Sequence, residues 1–247
     1  MAATADGGPN AIIIGASSGI GSALARVLAS QGYNVGLAAR RIDLLQRVAS
    51  EIPTRAFVKT VDVSKPADAM SRLRELIAEM RDVELFVIGA GTGSVNPALE
   101  WEPEQQTIAV NVCGFAAMAN VAVAHLQERG SGYLVGISSI GGLRGNPHAP
   151  AYSASKAFVS NYLEGLRYRF ASLKLPVVVT DVQPGFVDTA MAKAEHTFWV
   201  ATPEKAATQI VEAVRKGKTL VYVTRRWRLI AWFVKVVPDW LAVKLSG

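Results

Sequence analysis

Cysteine is nearly absent. Cys113 is the only one in 247 residues, so no internal disulfide can form, and a reducing, cytoplasmic setting is the simple reading. It falls in a small-residue helical stretch and has no histidine partner to make it a nucleophile, so a buried structural cysteine is expected. The chain also lacks a run of about 18 to 20 uncharged apolar residues, and no membrane-spanning helix is expected. Met1–Pro9 has neither a basic leader nor a long apolar core; it reads as a disordered lead-in, not a signal peptide. There is no internal repeat, linker or low-complexity tract, and no metal is expected. The net charge is +6, but no basic stripe joins a recognisable nucleic-acid fold, so nucleic acid is excluded as a partner.

What is present is concentrated in two motifs. Half of the residues are hydrophobic, enough for one large α/β domain. Tyr152 and Lys156 are four apart, which on a helix stacks phenol beside ammonium. A free phenol has a pKa of about 10, and a cation within a few ångström pulls it down. Such a pair is a tuned general acid/base. Upstream, Ala11–Ile14 is a short apolar run followed by Gly15-Ala16-Ser17-Ser18-Gly19-Ile20-Gly21. A strand, a glycine-rich turn and a helix in that order bind a dinucleotide pyrophosphate. The turn lacks the Gly-Lys-Ser/Thr ending of a P-loop, so that chemistry is excluded.

The glycine turn, the Tyr152/Lys156 pair and Ser139, thirteen positions before the tyrosine, together resemble the short-chain dehydrogenase/reductase superfamily in its classical form. The resemblance covers Asn10 to Thr224. It implies a doubly wound Rossmann fold with a parallel seven-stranded sheet in a single domain at 10–224, leaving 225–247 as a tail. It also implies a catalytic tetrad. Ser139 orients a carbonyl, Tyr152 donates the proton, Lys156 lowers the tyrosine pKa and holds the nicotinamide ribose, and Asn111 kinks its helix and anchors a water. Ser138 would stand behind Ser139, and His148 lies outside the mechanism.

The remaining expectations follow the strands. The second strand, Val35–Ala39, ends at Arg40-Arg41 with no carboxylate, where a dinucleotide fold meets the adenosine ribose. Two guanidinium groups there suit a 2′-phosphate. NADP is therefore expected over NAD, and the family's arginine at the Arg40 position agrees. Asp62, followed by Val63, either contacts adenine, as the resemblance implies, or caps the helix that follows. After the fourth strand the family's Asn-Asn-Ala-Gly is replaced by Ile88-Gly89-Ala90-Gly91. The bracing asparagines are gone, but Ala90 and Gly91 still let the cofactor lie close. A single long helix is read over Pro103–Gln127 and another over Ala151–Leu173; the resemblance makes these two helices a dimer interface. Pro184, Gly185, Val187 and Thr189 match the family's nicotinamide-holding loop. A short apolar substrate lid follows to Pro203, carrying Met191, Phe198, Trp199 and Val200.

The tail alternates Trp227, Trp232, Phe233 and Trp240 with Arg228, Lys235 and Lys244. That composition suits a helix lying on a bilayer surface and equally a contact with a neighbouring subunit in a homodimer or homotetramer. The functional expectation is an NADP(H)-dependent oxidoreductase interconverting a small-molecule ketone or aldehyde with an alcohol, on a long-chain or lipid-linked substrate. The alternative is a catalytically silent NADP-binding sensor or scaffold.

Overall fold

Short apolar strands alternate with amphipathic helices along the chain, and that alternation builds a parallel sheet covered on both faces. The computed structural model describes residues 7–189 and 198–241. Strands β1 (Asn10–Ile14), β2 (Asn34–Ala39), β3 (Ala56–Thr60), β4 (Val83–Ile88), β5 (Gly132–Ile137), β6 (Val177–Pro184) and β7 (Leu220–Val223) form one sheet, ordered 3-2-1-4-5-6-7. Helices α1 (Gly19–Ser30), α2 (Ile42–Ser50) and α7 (Pro203–Arg215) lie on one face. On the other lie α3 (Pro66–Met80), α4 (Trp101–Ile108), α5 (Phe115–Arg129) and α6 (Pro150–Ser172). A last helix, α8 (Trp227–Val236), follows β7. The expected seven-stranded, doubly wound fold is the fold found.

Both faces of the sheet are buried, which explains why β1 is apolar without alternation. Ile12 and Ile14 enter the core beneath α3, α5 and α6, while Ala11 and Ile13 enter the core beneath α1 and α7. Full burial of each isoleucine stabilises the fold by about 1.5 to 3 kcal/mol. Strand order reverses between β1 and β4, and this switch point opens a crevice at the carboxyl ends of the strands.

Three expectations need correcting. The long helix spans Trp101–Arg129 but is not uniform: Ala109–Gly114 is a π-helical turn between α4 and α5. Cys113 is exposed, because Val110, Asn111 and Gly114 take the inward positions of that turn. The same helix is also long and apolar enough to cross a membrane by length and composition, contrary to the expectation of none. It is the core helix of this fold, with 56% of its apolar window buried. The lead-in at 1–6, lid residue Met191 and tail residue Lys244 lie outside the described residues.

The tail enters the core with one side chain. Trp227 is 1% exposed and packs flat on the loop after β6. A Cβ on Gly185 would stand 2.0 Å from its ring. The other end of α8 is held by Arg144, from the loop after β5. Its Nη2 donates to the Val237 carbonyl and its Nη1 lies 2.7 Å from Asp239 Oδ1. The tail therefore bridges two loops at the carboxyl edge of the sheet.

Candidate active site

Four side chains converge at that edge. Helix α6 opens with Pro150 in its first turn, where its fixed φ and missing N–H cost nothing. Tyr152 follows, and one turn later comes Lys156, only 6% exposed. The lysine Nζ donates to the Ile137 carbonyl at 3.0 Å and sits 5.9 Å from the centre of the Tyr152 ring. Ser139, just past β5, accepts the Gly141 N–H at 3.0 Å, and its Oγ and the edge of the Tyr152 ring both border Gly141.

The electrostatics differ from expectation. Burial moves the Tyr152 pKa above its ordinary value, and the neighbouring Ser139 hydroxyl only partly opposes that. Burial pushes Lys156 down to about 8. The one charge opposing that fall is Asp181, 3% exposed on β6. Asp181 accepts Ser138 Oγ at one oxygen and Gln183 Nε2 at the other, the latter at 2.8 Å. Ser138 is thus a prop for a buried carboxylate.

Asn111 lies in the π-helical turn, 1% exposed. Its Oδ1 accepts the Thr92 N–H at 2.8 Å, and its Nδ2 donates to the Thr92 carbonyl at 2.7 Å and to Ser155 Oγ at 2.9 Å. The loop after β4, where Ile88-Gly89 stands in place of the family's asparagine pair, is therefore held by Asn111 in a two-point clasp. That places Gly91 beside Lys156: a Cβ there would be 3.3 Å from Nζ. Gly93, which the sequence did not single out, meets the Tyr152 ring so closely that a Cβ would stand 2.4 Å from its Cδ2.

The rest of the crevice fits a dinucleotide. Gly15 turns the chain with φ +98° and abuts the backbone of Ala90. Gly21 allows α1 to seat on the turn, since a Cβ there would stand 2.2 Å from the Gly15 carbonyl oxygen. Helix α1 starts at Gly19-Ile20 with no acidic residue in its first turn, and the Ser18 side chain does not cap it. Its N-terminus is left clear for phosphate oxygens. Arg41 reaches back across the crevice, its Nη2 3.1 Å from both Ser17 Oγ and Ser18 Oγ. Arg40 is exposed beside it. Asp62 Oδ1 accepts the Ser64 N–H and hydroxyl at 3.1 and 2.8 Å, an Asx turn, and Val63 is buried. Pro184 and Gly185 end β6, Val187 bridges to Ala201, and Thr189 stands over Gly19.

The chain matches the short chain dehydrogenase family over residues 9–198. It belongs to that family. An uncharacterized oxidoreductase of Myxococcus xanthus is 39% identical over 191 residues, 75% of each chain. A short-chain type dehydrogenase/reductase from Mycobacterium marinum superposes with a TM-score of 0.79 at 26% identity, covering 87% of this chain and 93% of that one. A 3-ketoacyl-(acyl-carrier-protein) reductase from Brucella melitensis, complexed with NADH, gives 0.78 at 25% identity, covering 87% and 96%. This short-chain dehydrogenase is thus an oxidoreductase of a family that binds NAD or NADP.

Two features of this short-chain dehydrogenase were missed by the sequence reading. Arg144 closes the tail over the site through contacts ninety residues away, which no local pattern announces. Asp181 and Gln183 did carry one: two polar residues two apart on a buried strand share a face. A separate apolar cleft of about 270 Å³, between α1 and α7, lies at the amino ends of the strands, away from these side chains.

Proposed function

We propose that this short-chain dehydrogenase is an NADP(H)-dependent reductase of ketones or aldehydes, running in reverse as an alcohol dehydrogenase. The observation that carries this is the placement of Tyr152, beside Ser139 at Gly141 and one helical turn from a buried Lys156. A bound nicotinamide would supply or accept the hydride. The protein's own groups handle the proton. Ser139 donates a hydrogen bond to the carbonyl oxygen, Tyr152 gives that oxygen its proton, and the Lys156 cation favours the phenolate left behind. Asn111 holds the loop that carries Gly91, beside Lys156.

Support for NADP comes from the end of β2. The Brucella reductase holds NADH, so preference turns on this chain's own residues there. Arg41, fixed on the Ser17 and Ser18 hydroxyls, and Arg40 beside it offer a 2′-phosphate two guanidinium groups. Asp62 keeps its second carboxylate oxygen for the adenine. Val63, Ala90, Pro184, Gly185, Val187 and Thr189 would line the nucleotide and nicotinamide.

A long-chain or lipid-linked substrate is favoured by the rim. Phe198, Trp199 and Val200 are each more than two-fifths exposed, beside Phe186 of the nicotinamide loop. A homodimer or homotetramer is supported by the outer stripe of α6, where Ala154, Ala157, Asn161 and Gly165 are exposed; mass in solution tests it. A silent NADP-binding scaffold would have no use for the buried lysine and its carboxylate.

The deciding experiment follows NADPH absorbance with a panel of short and long ketones and aldehydes. Cofactor oxidation that rises with chain length is expected. NADPH binding without turnover of any carbonyl would favour the scaffold.

A further inference from the structure

Helix α8 is inverted. Its inward face is small: Trp227 and Ala231 are buried. Leu229, Trp232, Phe233 and Val236 recur at the spacing of a single helical face. They point the opposite way, 46 to 66% exposed, and Trp240 beyond the helix is 71% exposed. An outward apolar stripe on a surface helix has no role in this fold's own core. The stripe is flanked by cations: Arg226, Arg228 and Lys235 are exposed, while Arg225 pairs with Glu212 at 3.6 Å. The one acidic residue of the segment, Asp239, is occupied by Arg144.

The end of the lid packs on the inward side of this helix. Phe198 and Trp199 stack about Trp227, with ring centres 5.0 and 6.1 Å away, and Phe186 adds a third contact at 5.4 Å. The lid end and the nicotinamide loop are therefore fixed to α8 on the face opposite the stripe.

We propose that this face docks on an anionic lipid bilayer, with α8 lying in the headgroup plane. Charge decides between the two occupants the face could have. A second copy seated on it by twofold symmetry would set the same cations against each other. Headgroup phosphates give those cations partners while Trp232, Phe233 and Trp240 enter the interface, where tryptophan is favoured. Cations at the rim of an apolar stripe are the arrangement of an interfacial helix.

The claim is independent of turnover, so it can fail without the reductase reading failing. The intact protein is sedimented with mixed phosphatidylcholine/phosphatidylglycerol vesicles, with pure phosphatidylcholine vesicles, and with none. It should co-sediment with the mixed vesicles, less at high salt, and poorly with the neutral ones. Arg228→Gln and Lys235→Gln are surface changes that leave the fold alone, and each should weaken partition about fivefold. Trp232→Ser with Phe233→Ser should abolish it while solution mass and reduction of a small soluble ketone stay unchanged. Two results overturn the proposal: no sedimentation of the intact protein with anionic vesicles, or a fall in solution mass in the serine variant, which would make the face a subunit interface.

Discussion

Arg144 donates Nε to the Val234 carbonyl at 2.8 Å, ninety residues along the chain. Its guanidinium completes the carbonyl end of α8, where a cation is favoured by the helix dipole. Arg144→Ala leaves those carbonyls without their partner, at a cost of about 1 to 3 kcal/mol. Amide exchange in α8 should quicken by roughly five- to hundredfold, with the sheet amides unaffected. Unchanged α8 protection would mean that Trp227 alone holds the helix.

Tyr152→Phe removes one hydroxyl and keeps the ring that packs on Gly93. Loss of a general acid typically lowers rate by about 10² to 10⁴. NADPH binding, followed by fluorescence titration, should be nearly unchanged. A variant retaining more than about a tenth of the activity would be incompatible with the role assigned to Tyr152.

The pH profile should report Lys156. Its pKa is pushed down to about 8, so carbonyl reduction that needs the cation falls as pH rises through that value. Asp181 is the group that holds the pKa up. In Asp181→Asn the basic limb of kcat/KM should therefore move to lower pH. Ser138→Ala, which removes a hydrogen bond but leaves the carboxylate, should hardly move the limb. Coincident profiles for wild type and Asp181→Asn would leave Asp181 a purely structural residue.

Cofactor choice should rest more on Arg41 than the position of Arg40 suggests, because Arg41 is the one anchored over the glycine turn. Arg41→Ala should lower the NADPH-to-NADH ratio of specificity constants by roughly ten- to hundredfold, from a charge-assisted contact of about 1.5 to 3 kcal/mol. Arg40→Asp should also lower it, through repulsion. If only Arg40→Asp shifts the ratio, Arg41 serves the loop and not the phosphate.

The sheet and the Ser139–Tyr152–Lys156 set were legible because each is written locally: apolar runs of strand length, and two residues one helical turn apart. The π-helical turn was not, since an i→i+5 bond has no residue signature, and Cys113 was misplaced with it. The tail's aromatics were read as one group and not sorted. Its helical period separates Trp227 and Ala231 from Trp232 and Phe233, yet the period does not say which set meets the protein. That depends on Gly185, forty-two positions upstream of Trp227, which leaves room for one indole. Arg144 and the Asp181 charge under α6 depend on contacts between distant strands and loops.

The widened turn at Ala109–Gly114 also constrains how this gene can change in length. A π-helical turn holds one residue more than an α-helical turn, so deleting one residue there would restore an unbroken α-helix from Trp101 to Arg129. Each residue is about 100° of rotation. The repaired helix would then present either Asn111 or the apolar side of α5 about a quarter turn out of phase. The first loses the clasp on Thr92; the second turns Met118, Ala122 and Leu126 out of the core. A single-codon deletion in this segment should therefore be rejected even where it makes the helix more regular.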